Sequence, residues 1–265
     1  MVPVSVVIIT KNAADIIKGC IEEASKLTDD IIVVYNGSET ETSINGLTEN
    51  CRFYNKAWEG YGANKNKGVE LARYNWILSI DADEIPDEEL INAVHNLNFD
   101  DKKAVYDIKF RSYFGGKPVR FGSWGRDHHI RLFNREFVKW SETIVHETLT
   151  LPSFIQKKKI EGHIHHYSVK NVQEFDSKGC YYANLSAKKY FRTGKKAGAI
   201  KLYISPIFGF IKNYIVCLGF LDGRTGWNIA KITVKHTRRK YHFLSQMEIT
   251  GEKKQQAKEN LAIEY

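Results

Sequence analysis

Val4-Ser5-Val6-Val7-Ile8-Ile9-Thr10 is a β-branched run broken only by one serine, with no alternation of apolar and polar residues. Such a run suits a strand buried on both faces of a parallel sheet. Residues 13–27 follow with Ile16, Ile17, Cys20, Ile21 and Ala24 at helical spacing, and Ile31–Tyr35 forms a second apolar run closed by Asn36-Gly37-Ser38. This is a βαβ opening. The pattern continues with a strand over Arg52–Tyr54, a helix over Ala63–Arg73 and a strand over Trp76–Ile80, which predicts an α/β doubly wound sheet with ligands at the carboxyl ends of its strands. Beyond residue 104 shorter, aromatic-rich strands are expected at Ala104–Phe110, Ile130–Phe133 and Phe137–Trp140, completing a mixed sheet. From Val172 the reading is helical: Val172–Arg192, Ala199–Leu221 and Gly226–Phe243, then a polar tail after Gly251.

The 265 residues are 43% hydrophobic and 26% charged, which excludes wholesale disorder and low-complexity architectures. Cys20, Cys51, Cys180 and Cys217 are too scattered for a zinc ribbon or a disulfide scaffold, so a reducing compartment is expected. Residues 1–150 hold 18 basic and 23 acidic side chains, residues 151–265 hold 21 and 8. The basic excess therefore sits in the second part, together with its apolar stretches, and suits an anionic membrane surface. The N-terminal run lacks a basic leader and a small-residue cleavage site, and the longest apolar stretch, Ala199–Leu221, is interrupted by Lys201, Pro206 and Lys212. A cytoplasmic protein, peripheral on the cytoplasmic face of a membrane, is the expectation.

The strand Trp76–Ile80 runs into Asp81-Ala82-Asp83-Glu84. Side chains two apart on an extended segment point the same way, so Asp81 and Asp83 can face one ligand. Two close carboxylates are costly without a cation, and a hard divalent ion bridging to substrate phosphates would neutralise them. The alternative is that the two aspartates cap the helix expected to begin near Pro86.

The stretches VSVVIITKNAADII, IIVVYNGSET, WEGYGANKNKGVELARYNWILSIDADE, RLFNR, VHETL, HHYS and GFLDGRTGW, spread over residues 2–228, resemble family-2 glycosyltransferases of the GT-A fold, in the branch similar to lipopolysaccharide-core β-glucosyltransferases. The resemblance implies a GT-A catalytic domain over residues 1–168, with a Rossmann-like nucleotide-binding half and an acceptor half, followed by a helical basic extension over 169–265. It implies transfer of a hexose such as glucose, with inversion, from a UDP-sugar donor to a saccharide or lipid-linked acceptor in cell-envelope glycan synthesis, aided by Mn2+ or Mg2+.

On matching positions the resemblance assigns Thr10, Lys11 and Asn12 to the border of the nucleotide base and Asn36, Gly37 and Ser38 to the second-strand loop, where Tyr35 and Asn36 replace the family's acidic residues. Lys65, in Gly62-Ala63-Asn64-Lys65-Asn66, is assigned to the donor phosphate or sugar, its alternative being a solvated helix charge. Asp81 and Asp83 are assigned to donor and metal. An inverting transfer needs a base standing apart from the metal pair; by the resemblance Glu147 occupies that place, with Asp127 in reserve and expected to hold the acceptor or transferred sugar, the alternative for each being a structural carboxylate paired with Arg126, Arg131 or Arg135. His166 is the metal's non-carboxylate ligand by the same resemblance, with a packed histidine as the alternative. Ile204, Ile207, Phe208, Phe210, Ile211, Tyr214, Ile215, Leu218 and Phe220, flanked by Lys201 and Lys212 and followed by Lys231, Lys235, Arg238, Arg239 and Lys240, suit either a bilayer headgroup region or packing against the catalytic domain or a second copy in a homo-oligomer. Two other readings compete. A sugar-nucleotide nucleotidyltransferase would carry a Gly-rich basic loop after the first strand, where this chain has Lys11-Asn12-Ala13-Ala14, and a non-enzymatic basic module binding membrane or nucleic acid lacks any RNP, KH or zinc-finger signature here.

Overall fold

The protein is described by a computed structural model covering residues 1–11, 14–37, 50–141 and 147–263, without the side chains of 14–16 and 252–263. The chain divides into two compact units, Met1–Tyr113 with Arg126–Ser168, and Phe114–Gly125 with Val169–Tyr265.

The first unit opens with β1 (Val4–Lys11), α1 (Ala14–Leu27), β2 (Ile31–Asn36), β3 (Cys51–Asn55), α2 (Tyr61–Leu71), β4 (Trp76–Asp81), β5 (Glu84–Pro86) and α3 (Glu88–His95). β6 (Ala104–Phe114) follows. After β7 (Lys117–Pro118), which lies in the second unit, come β8 (His128–Asn134), β9 (Lys139–Trp140), β10 (Leu149–Thr150) and β11 (Gln156–Val169). The sheet order is β3-β2-β1-β4-β8-β6-β11-β5. β1 pairs parallel with β2 and β4, and β2 with β3, whereas β4/β8, β6/β8 and β5/β11 are antiparallel. β9 and β10 form a separate two-stranded ribbon.

Period-two alternation distributes β1 to two cores. Val4, Val6 and Ile8 pack with Ile17, Ile21 and Leu27 of α1 and Leu90 and Val94 of α3, whereas Val7 and Ile9 pack with Val69, Ile77, Phe133 and Trp140. Helices therefore cover both faces, which is why the strand carries no polar alternation. Three local expectations shift. Pro86 ends β5, and α3 begins only after Asp87, whose side chain accepts a hydrogen bond from Leu90 N. Residues 135–137 form a turn, with the amides of Phe137 and Val138 both donating to Asn134 O, so only Lys139 and Trp140 pair as a strand. β6 runs four residues past Phe110.

In the second unit, α4 (Val172–Arg192) starts behind Asn171, whose side chain accepts from Glu174 N. The expected single helix 199–221 is broken: α5 (Ala199–Phe210) passes into a π-helical turn at Ile211–Val216, then a 3-10 turn at Gly219–Asp222. Leu218 adopts φ +61°, and a Cβ on Gly219 or Gly226 would meet Asn213 O at 2.7 Å or Gly219 O at 1.8 Å. These glycines permit the close approach that bends the chain by 72° before α6. α6 (Gly223–Ile263) continues through the segment expected as a polar tail. Residues 114–125 join this unit, rather than the expected 1–168 domain, because Phe114, Val119 and Trp124 cluster with Val169, Phe175 and Ile229. All four cysteines are free thiols, and no single described helix is long and apolar enough to cross a membrane.

Candidate active site

The parallel strands β1–β4 deliver their carboxyl ends to one edge, where the register sets Lys11 beside Asn36, Thr10 beside Tyr35 and Ile9 beside Asp81. Thr10 is buried, and Lys11 is exposed with Nζ 5.5 Å from the centre of the Trp58 ring. The Asn36 side-chain amide donates to Lys56 O at 3.1 Å, and Gly37 takes φ +120°. Asn12 and Ser38 lie outside the described residues.

Asp81 closes β4 in a buried row of alternating charges. Lys65 Nζ stands 3.0 Å from Glu147 Oε1 and 3.2 Å from Asp81 Oδ1; Arg131 Nη2 stands 3.6 Å from Asp81 Oδ2 and 2.5 Å from Glu84 Oε1. Asp81 Oδ1 accepts no directed hydrogen bond among the described residues, so its contact with the ammonium is ionic. Glu84 Oε2 accepts from Asp81 N at 3.1 Å. The Lys65 side chain is sealed from solvent, with Nζ 4.4 Å from the centre of the Trp140 ring.

Gly68 explains how a lysine comes to lie there. A Cβ at Gly68 would sit 2.3 Å from Val7 Cγ1, so only a glycine lets α2 press this closely onto β1 and carry Lys65, one turn earlier, inward. Asn66 ties α2 to β9 in both directions, accepting from Trp140 N at 3.0 Å and donating to Trp140 O at 2.9 Å. The β9/β10 pairing of Trp140 with Leu149 then brings Glu147 alongside.

Asp83 lies in the turn between β4 and β5. His166 pairs with Glu84 across β5/β11, and Tyr167 N donates to Asp83 O at 2.9 Å, so His166 Nε2 reaches within 3.7 Å of Asp83 Oδ2. The neighbouring histidines point elsewhere: His165 meets the Tyr113 hydroxyl at 2.9 Å and His163 Nδ1 lies 3.3 Å from Asp87. Asp127 Oδ1 lies 3.0 Å from His129 Nε2, and the rings of His129 and His166 both meet Phe110 edge to face.

Burial pushes the Asp81 carboxyl up, but the charges of Lys65 and Arg131 outweigh it and hold the group below its ordinary range. Burial raises Glu84. For His166 burial favours the neutral ring, yet the hydrogen bond to Asp83 and the charges of Glu84, Asp83 and Asp81 raise its proton affinity. Asp127 is destabilised as an anion by burial but brought down by His129 and His166. Asp81, Glu84 and Glu147 face the cations Lys65 and Arg131, and Asp83 faces His166, so carboxylates outnumber the fixed cations here. Carboxylate oxygens with one imidazole are a fitting donor set for Mn2+ or Mg2+. Helix capping, the other expected use of the Asp pair, belongs instead to Asp87. The group Asp87, Glu89 and His163 also lies within metal-binding reach, but Asp87 Oδ1 already accepts from Leu90 N and His163 N.

Arg131, Glu84, Asn66 and Trp140 received no role from the sequence pattern. Lys65, assigned by the resemblance to the donor, differs from the solvated alternative by its burial, and the local sequence signal for that burial is the glycine three residues on.

Residues 5–168 match the family described as Glycosyl transferase family 2. The chain is similar to an uncharacterised glycosyltransferase of Rickettsia prowazekii, 28% identical over 241 residues covering 86% of this chain and 81% of that one. It is also similar to LpsC of Rhizobium meliloti, a lipopolysaccharide core biosynthesis glycosyltransferase, 24% identical with 87% and 90% covered. The crystal structure of S. aureus TarS 1–349 aligns with a TM-score of 0.42 and 12% identity over 94% of this chain and 91% of that one. With its mixed sheet of GT-A type and a family match over more than half its length, the chain belongs to glycosyl transferase family 2 and is a glycosyltransferase.

Proposed function

We propose that this glycosyltransferase moves a hexose such as glucose, with inversion, from a UDP-sugar to a saccharide or lipid-linked acceptor of cell-envelope glycan, of the lipopolysaccharide-core kind. The observation that supports the reading is a pair of contacts at the end of β4: Lys65 joining Asp81 to Glu147, and, in the turn that follows, His166 beside Asp83. The name of the Rhizobium relative supports the acceptor class.

In this reading Thr10, Lys11, Asn12, Asn36, Gly37 and Ser38 border the nucleotide, and Asp83, with Asp81 and His166, holds Mn2+ or Mg2+. Such an ion, when bound, supplies positive charge to the leaving diphosphate. Glu147 takes the proton from the acceptor hydroxyl, whose oxygen bonds to the anomeric carbon as the bond to the diphosphate oxygen breaks. Lys65 holds Glu147 by an ion contact and links it to the carboxylate that closes β4. Asp127 orients the acceptor or the transferred sugar. The basic excess of residues 151–265 supports, in the same reading, a position at the cytoplasmic face of an anionic membrane, where a lipid-linked acceptor would be met.

A panel of nucleotide sugars scored by thermal shift with and without Mn2+ or Mg2+ tests the reading. A UDP-hexose that raises the melting temperature only with metal is the expected result; stabilisation by no nucleotide sugar under either condition overturns it.

A further inference from the structure

α5 inverts the usual burial of an apolar helix. Ile200, Tyr203, Ile204, Ile207 and Phe208 recur at helical spacing on one face, yet they are 56–69% exposed, and Pro206 alone in this helix is buried. The stripe continues past α5 through Ile211, Ile215 and Val216, also exposed. Tyr203 borders, in addition, a groove of about 820 Å³ lying among α4, α5 and α6. The opposite wall of that groove is Lys231, Lys235, Arg238 and His242, spaced to fall on a single face of α6. Asp176 is the acid of the lining, and it is engaged: its oxygens lie 2.7 Å from Lys235 and 2.6 Å from Arg239, with His236 at 3.6 Å. Lys231 and Arg238 line the groove and carry no ion pair among the described residues.

Resting on the peripheral-membrane reading above, we propose that this groove is a headgroup site: the α5 stripe enters the acyl boundary of an anionic bilayer while Lys231, Arg238 and His242 hold the phosphate of a phospholipid. An apolar stripe bordered by cations matches the boundary between acyl chains and anionic headgroups. A second copy of the chain would bring the same basic stripe against itself, which charge repulsion opposes. Tyr203 and Phe208 are the rings of the stripe on which bases could stack; its six aliphatic residues give no such platform, so a nucleic acid would leave most of the stripe in water.

Vesicle co-sedimentation tests this with the full chain, phosphatidylglycerol/phosphatidylcholine vesicles against phosphatidylcholine alone, and the variants Phe208→Asp and Lys231→Glu/Arg238→Glu, each checked for an unchanged melting temperature. The wild type should pellet with the anionic vesicles only, and both variants should bind at least about tenfold more weakly. Wild-type binding that the Lys231→Glu/Arg238→Glu variant retains in full overturns the groove and leaves the membrane reading standing. No wild-type binding to anionic vesicles overturns both. A dimer in sedimentation velocity that Phe208→Asp dissolves assigns the stripe to a second copy, and tighter binding to a single-stranded oligonucleotide than to vesicles assigns the basic wall to nucleic acid; either result overturns the proposal.

Discussion

Lys65 Nζ donates to Glu147 Oε1 at 3.0 Å, a contact between residues 82 apart in the sequence. The same ammonium touches Asp81 at 3.2 Å. One buried cation thus couples the carboxylate that closes β4 to the carboxylate carried in by the β9/β10 ribbon.

Lys65→Met keeps most of the side-chain volume and removes the charge. Glu147 then loses its cation, and Asp81 keeps only the longer contact with Arg131. Breaking a sealed ion pair costs about 3–5 kcal/mol, and because both carboxylates keep some contact with water the expected loss here is on the order of 2–3 kcal/mol. Urea denaturation measures it. A loss below about 0.5 kcal/mol, the size of an ordinary surface substitution, would show that the lysine bridges nothing that matters.

Glu147→Gln preserves shape and removes the proton acceptor. Turnover should fall by about 10²- to 10⁴-fold while donor affinity stays within a few-fold, because the lost interaction serves proton transfer. Single-turnover assays beside donor-binding titrations separate the two effects. If Glu147→Gln turns over normally and Asp127→Asn does not, the base is Asp127.

Gly68→Ala places a methyl group 2.3 Å from Val7 Cγ1. The helix must lift from β1, with an overpacking cost of about 1–3 kcal/mol, and it carries Lys65 away from Asp81. Both melting temperature and turnover should drop. Loss of stability with undiminished turnover would separate the packing of α2 from the geometry of the site.

Asp30 is buried and accepts from Ser5 Oγ at 2.6 Å, Arg73 N at 2.7 Å and Arg52 Nη2 at 2.7 Å. Burial pushes its carboxyl up, but these hydrogen bonds bring it below its ordinary value of 3.8. A carboxyl depressed in the folded state contributes stability that is fully present above the unfolded value and is lost as pH falls through the folded one. Asp30→Asn should therefore cost about 1.5–3 kcal/mol near neutral pH, and its deficit against the wild type should shrink below about pH 4. Chemical denaturation across that range measures the difference; a deficit constant with pH would assign the loss to shape rather than charge.

The parallel half of the sheet was legible because burial on both faces leaves a mark in every residue of a strand: Val4–Thr10 and Ile31–Tyr35 each read as a strand from their own side chains. Asp81-Ala82-Asp83 was legible as the polar end of such a strand but not as a turn: β4 stops at Asp81 and the chain turns at Ala82 and Asp83, so the two carboxylates are not set as alternate residues of an extended segment. The row from Glu147 through Lys65 and Asp81 to Arg131 and Glu84 was not, since attraction between groups brought together only by the fold leaves no local periodicity. The break after Phe210 was hidden for a related reason. An apolar run has the same composition whether it is straight or bent, and the bend depends on Gly219 and Gly226 meeting backbone atoms across the turn.

The central claim, that Asp83 with Asp81 and His166 holds a divalent ion against the donor's diphosphate, is tested most directly by calorimetric titration of UDP into wild type and Asp83→Asn, with Mn2+ and with chelator. The account predicts binding by the wild type that weakens at least about tenfold when metal is withdrawn, and binding by Asp83→Asn that is weak and indifferent to metal. Equal affinity of the wild type in Mn2+ and in chelator, or an Asp83→Asn variant that keeps the full metal response, would contradict it.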